Sequence, residues 1–131
     1  MNGICRKMSL VLLLIACLAT SAFAELPSGN QFTIQAALAS GRPSLVDFGA
    51  RSCVPCKKMA PILEQLEKEY RGRANVIFVD VWKNNKIGGN YRVQMIPTQI
   101  FFDAKGKEAG RHIGFMDRGP IIDTFKKLGV K

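Results

Sequence analysis

The chain has 131 residues, yet it contains one histidine, His112, one tryptophan, Trp82, and only four cysteines. A structural zinc site takes four ligands, drawn mostly from cysteine and histidine. Cys53-Val54-Pro55-Cys56 is the only C-x-x-C and a single histidine accompanies it, so structural zinc is a poor reading. Repeats, low-complexity tracts and internal linkers are also missing, which leaves one domain, or one domain behind a targeting segment. The one long apolar run, Met8 to Ala19, is short of the roughly 20 residues that a bilayer-spanning helix needs. Basic residues outnumber acidic ones by 19 to 10, but they are scattered, with short pairs such as Lys57-Lys58 and Lys126-Lys127. A nucleic-acid binder gathers such charge into a patch. The surplus here reads as solubility with a mild preference for acidic partners, and no nucleic-acid partner is expected.

Arg6 and Lys7 precede the apolar run, which ends in small residues and then Ala22-Phe23-Ala24 before Glu25. A charged start, a short apolar stretch and an A-x-A site make the pattern of a secretory signal peptide. The expected organisation is a signal peptide over 1–24 and a domain over 25–131, periplasmic or otherwise extracytoplasmic. Two alternatives use the same residues: an uncleaved membrane anchor, and a lipoprotein signal. For the latter, Leu14-Ile15-Ala16-Cys17 resembles a bacterial lipobox that would anchor the chain through a lipid on Cys17. Cleavage after Ala24 leaves 107 residues, enough for one modest core, and removes Cys5 and Cys17. Cys53 and Cys56 are then the only cysteines.

Hydrophobic periodicity predicts a helix over Phe32 to Ala39, a short buried strand over Ser44 to Phe48, and an amphipathic helix from about Pro55 to Tyr70. Pro61 inside that helix is expected to kink it. Asn75 to Val81 reads as a second buried strand. Lys83 to Tyr91 reads as weakly helical at best, because Gly88-Gly89 disfavours a helix. Gln99 to Phe102 and Glu108 to Ile113 form a hairpin about Asp103-Ala104-Lys105-Gly106. Asp117 caps a last helix, with Pro120 in its first turn and Gly129 past its end. Strands that alternate with helices and then form a hairpin imply a central mixed sheet with helices on both faces.

The cysteine pair itself has three readings: half a zinc site, a permanent structural disulfide, or a reversible redox couple. A disulfide across two residues closes a tiny loop, and the stabilisation from cross-linking grows with loop length. The redox reading has a positive case. Cys53 falls at a helix start, where unpaired N–H groups and the helix dipole favour a thiolate. Cys56, three residues on, lies on the same helical face and can attack a mixed disulfide formed at Cys53. Lys57 adds positive charge nearby, or is simply a solvated lysine.

Val46-Asp47-Phe48-Gly49-Ala50, then Cys53-Val54-Pro55-Cys56-Lys57, then Ile96-Pro97-Thr98 and Gly114, resemble the thioredoxin family, with its spacing from about Ser44 to the C-terminus. The resemblance implies a thioredoxin-like α/β fold. It also implies a protein-disulfide oxidoreductase with no cofactor beyond the Cys53–Cys56 disulfide and no metal. Cys53 matches the nucleophile and Cys56 the resolving cysteine. Asp47 matches a buried carboxylate beneath the pair, suited by desolvation to exchange protons with Cys56; the alternative is an edge-strand carboxylate in water. Pro97 matches the family's cis-proline, whose loop, with Ile96 and Thr98, offers backbone pairing to a substrate chain. Val54 and Pro55 between the cysteines resemble the reducing branch of the family. The implied partners are proteins with disulfides or thiols and a membrane reductase as electron donor, around a monomer.

The sequence also departs from the family. Gly49 stands where an aromatic residue is usual, Ser52 where a tryptophan precedes the first cysteine, and the N-terminal strand is not evident. Trp82 is expected to pack, and His112 to lie on a strand surface. A rival reading from another class is a copper(I) carrier using Cys53, Cys56 and His112, because soft thiolates select Cu(I).

Overall fold

The computed structural model describes residues 24–131. The signal-peptide reading over 1–24 lies, except for Ala24, outside the described residues, as do the lipobox and its Cys17. The elements are α1 (Gln31–Leu38), β1 (Ser44–Gly49), α2 (Val54–Tyr70), β2 (Asn75–Asp80), α3 (Asn85–Asn90), β3 (Thr98–Phe102), β4 (Glu108–Ile113) and α4 (Arg118–Lys127). Four strands form one mixed sheet in the order β2-β1-β3-β4. β1 runs parallel to β2 and antiparallel to β3, and β3 and β4 form the antiparallel hairpin.

Successive residues of β1 point to opposite faces. Val46 and Phe48 meet Ile34 and Ala37 of α1, Ile87 of α3 and Ile100 of β3 on one face. Leu45 meets Met59, Leu63 and Leu66 of α2 and Ile121 and Phe125 of α4 on the other. Helices therefore cover both faces, and β1 is buried along its whole length. Local signals agree with this packing. Asn30 caps α1 through a reciprocal pair of bonds with Thr33, and Asp117 accepts from Arg118 N at the start of α4. Gly129 takes the left-handed conformation (φ 85°) just past the end of α4. α2 continues through Pro61 without ending there.

Two expectations are corrected. The segment read as weakly helical forms α3 with both glycines inside it. Ile87 and Gly88 are buried there, and a Cβ on Gly88 would lie 3.5 Å from Val81, so tertiary packing overrides propensity. Trp82 does not pack: it is 63% exposed. Among the described residues, a single parallel bridge from Ser28 to Phe78 stands where an additional N-terminal strand would lie.

Candidate active site

The turn Ala50-Arg51-Ser52 carries the chain from the end of β1 to the start of α2. Cys53 is the residue that caps α2, with extended backbone and Pro55 in the first turn, where a missing N–H is tolerated. Its carbonyl accepts the first helical bond, from Lys57 N at 2.9 Å. Its Sγ accepts from Cys56 N at 3.4 Å. The two cysteines are joined as a disulfide with Cα atoms 5.2 Å apart. Cys53 lies at the margin of the surface and Cys56 deeper, with Val54, Pro55 and Lys57 exposed around them. On reduction, the same N–H group and helix start would face a Cys53 thiolate.

Beneath the pair, Gly49 lets α2 approach the sheet. A Cβ there would stand 3.2 Å from Cys56 Sγ and 3.3 Å from the Phe78 ring. The Phe78 ring thus occupies room that a side chain at position 49 would need. Arg51 lies over Phe78, 4.3 Å from its centroid, and is tied to Glu25 and to the Leu26 carbonyl. Arg51 and Phe78 are site residues that sequence reasoning missed. Phe78 read as an ordinary strand residue, and only the register of β2 beside β1 brings it to the cysteines.

Asp47 is one side chain further down the same face of β1 from Gly49. It stands on an interior strand with no exposure, so it is not the solvated edge carboxylate of the alternative reading. Burial pushes its pKa up to about 7, against a smaller opposite pull from its hydrogen bond to Gln99. Gln99 Nε2 donates to Asp47 Oδ1 at 2.7 Å. Gln99 was also missed, although one polar residue heading the apolar run Ile100-Phe101-Phe102 was a visible signal.

The loop before β3 closes the site from the other side. The Ile96–Pro97 peptide is cis. Ile96 packs against the cluster of Ala50, Cys53 and Cys56. Pro97 O accepts from Gly114 N at 2.8 Å, and Thr98 Oγ1 donates to Met95 O at 2.6 Å, so both ends of the loop are fastened. Trp82, Met95 and Ile96 line a shallow cleft together with Val81, Gly88 and Val93. His112 is exposed on β4, and its Nε2 is 3.1 Å from Phe115 O. Among the described residues, no group of three or more His, Cys, Asp and Glu side chains is arranged to hold a metal.

The thioredoxin family model matches residues 28–127. Thioredoxin of Staphylococcus saprophyticus is 37% identical over 84 residues, 64% of this chain and 80% of that one. Thioredoxin of Staphylococcus aureus is 37% identical over 83 residues, 63% and 79% of the two chains. Among solved structures, a mutant thioredoxin from Halobacterium salinarum superposes with a TM-score of 0.71 at 25% identity, over 86% of this chain and 96% of that one. Chloroplastic thioredoxin z does so with a TM-score of 0.68 at 28% identity, over 82% and 97%. The match spans nearly all of the described residues, and it includes the joined cysteines at the head of α2. The chain therefore belongs to the thioredoxin family of thiol–disulfide oxidoreductases.

Proposed function

We propose that the protein is an extracytoplasmic reductant of partner-protein disulfides, working through a Cys53–Cys56 dithiol/disulfide cycle. The observation that carries the reading is Cys53 capping α2, with Cys56 N–H directed at its sulfur and Asp47 fully buried on the strand face where Gly49 meets Cys56. The Cys53 thiolate attacks one sulfur of the partner's disulfide, forming a mixed disulfide and releasing the other sulfur as thiolate. Cys56 gives its proton to Asp47, and its thiolate attacks Cys53 Sγ. The bond to the partner breaks, the partner keeps both electrons, and the Cys53–Cys56 disulfide remains. Ile96, Pro97 and Thr98 offer the substrate chain its backbone pairing beside the pair, and Val54, Pro55 and Lys57 form the rim around the nucleophile.

The direction is supported by Val54-Pro55, which resembles the reducing branch. The location is supported by the signal-peptide pattern over 1–24, which leaves 25–131 as the working domain; a lipid on Cys17 is the other route to the same side of the membrane. A monomer there draws electrons from a membrane reductase, because that compartment supplies little reducing power of its own.

The purified protein should reduce insulin with dithiothreitol as electron source, and Cys53→Ser should abolish that activity. An unaffected Cys53→Ser variant would sink the reading. Tight one-to-one Cu(I) binding lost in His112→Ala, without insulin reduction, would replace it with the copper carrier. The reduction potential of the pair in a glutathione series tests direction, and a value at the oxidising end of the family range would reverse it.

A further inference from the structure

Gln99 is as completely buried as Asp47, and nothing in the cycle above uses it. The two residues stand opposite each other in the antiparallel register of β1 and β3, so their side chains leave the same face of the sheet. One donor bond joins them, from Gln99 Nε2 to Asp47 Oδ1. Asp47 Oδ2 and Gln99 Oε1 are both buried and both lack a hydrogen-bond partner. Each of those atoms is an acceptor, and buried acceptors are nearly always paired. A proton on the carboxyl is the donor this pair lacks. An amide offers a donor to the ionised carboxylate and an acceptor to the neutral acid. A leucine or methionine, which would suit the apolar strand equally well, offers neither.

We propose that Gln99 is a positioning residue for the resolving step: its amide holds the Asp47 carboxyl in one place through both halves of the proton cycle, with Oδ2 left to take the proton from Cys56 and return it. This rests on the reading of Asp47 as the proton acceptor of Cys56. Gln99 itself exchanges no proton and no electron. The Cys56 S–H bond breaks as Oδ2–H forms, the Cys56 thiolate then displaces the partner's sulfur from Cys53, and the departing thiolate takes up a proton in turn.

The other groups around Asp47 do not replace Gln99. α2 turns Cys56 toward the sheet but leaves Lys57 exposed, and its buried Glu64 is paired with Lys68. α4 turns in Ile121 and Phe125. β2 places Phe78 opposite Asp47, with Asp80 two residues on and bonded to backbone N–H groups. His112 on β4, opposite Gln99, is exposed and directed to Phe115 O.

The test is a pair of titrations on the purified protein: the carboxyl carbon signal of Asp47 by NMR, and the pH profile of mixed-disulfide resolution. Gln99→Leu removes both bonds, and the one from Nε2–H to the ionised carboxylate is charge-assisted and the stronger, so the Asp47 midpoint should rise by about one pH unit, and the acid limb of the rate should follow it. At pH 7 resolution should slow about fivefold, and Asp47→Asn should show no acid limb and no further change on adding Gln99→Leu. Gln99→Met, close in volume, carries the same expectation if the leucine variant fails to fold. Folded Leu and Met variants with an unmoved midpoint and limb would overturn the proposal and leave the Asp47 reading standing. An acid limb that persists in Asp47→Asn would overturn the Asp47 reading first, and this proposal with it.

Discussion

Asp47 and Asp80 lie on the same face of the sheet, on adjacent strands, and are withdrawn from water to 0% and 3% exposure. They are built in opposite ways. Asp80 Oδ1 accepts from Trp82 N and Lys83 N at 3.0 and 3.2 Å, and Oδ2 accepts from Arg51 N at 3.4 Å. It ties the end of β2 and the turn before Cys53 into one piece. Asp47 has a single donor and an oxygen with none. A buried carboxylate whose oxygens are taken up by backbone N–H groups serves to hold the chain, and one left short of donors is poised to change its protonation state. Burial alone does not mark a functional acid; the balance of donors around it does.

The contrast breaks most easily at Asp80. Asp80→Ala leaves three backbone N–H groups without their acceptor and should lower stability by about 2–4 kcal/mol in urea or thermal unfolding. Asp80→Asn keeps an oxygen for Trp82 N and Lys83 N and should lose less than half as much. An alanine variant as stable as the parent would show that the turn is held by something else.

At Asp47 the sign reverses. Its folded pKa, about 7, lies above the value of 3.8 for a free aspartate. Between about pH 4 and 7 the unfolded chain has therefore already lost its proton while the folded chain still holds it. The advantage of the protonated folded state is complete below about pH 4 and is lost as pH rises through 7. The loss is about 4 kcal/mol over that window. Asp47→Asn should remove that slope and stabilise the protein at neutral pH by about 1–3 kcal/mol, because its amide still needs partners of its own. Resolution of mixed disulfides at pH 7 should slow by at least about tenfold. Thermal melts across pH with insulin turnover check both effects; unchanged melting with unchanged turnover would remove Asp47 from the mechanism.

Sequence patterns that act locally were legible. The buried strands, the cysteine-headed helix, the hairpin and the cap of α4 each follow from residues within a few positions of one another. What depended on register was not. Gln99 meets Asp47 across 52 positions, and the ring of Phe78 explains the absence of a side chain at Gly49 only once β2 is set beside β1. α3 escaped because its stability comes from Ile87 and Gly88 against Val81, not from its own composition. Trp82 was expected to pack because it follows the buried strand ending at Val81, but it sits in the turn that Asp80 fastens and stays in water. Asp80 itself carried a local signal, an aspartate whose oxygen caps the N–H two residues on.

Gly49 separates the two aspartates, two residues beyond Asp47 and paired in register with Asp80. Its backbone is not in the left-handed region, so alanine is allowed there by conformation, and contact alone decides the outcome. The new methyl would press on Cys56 Sγ and Cβ and on the Phe78 ring at 3.2–3.3 Å, and one of them must yield by a few tenths of an ångström. Some of that penalty is offset by the reduced freedom of the unfolded chain. The expected net loss is about 0.5–1.5 kcal/mol, the smallest of the three effects. The displacement should fall on Cys56 and so alter the rate of disulfide resolution. Amide-exchange protection at Trp82 and Lys83 should stay at the parent level, because the atoms nearest the methyl belong to Cys56 and Phe78 and not to their acceptor on Asp80. Lost protection at those two amides would show that the proton-exchanging acid and the turn-holding acid belong to one mechanical unit, and the distinction between them would fail.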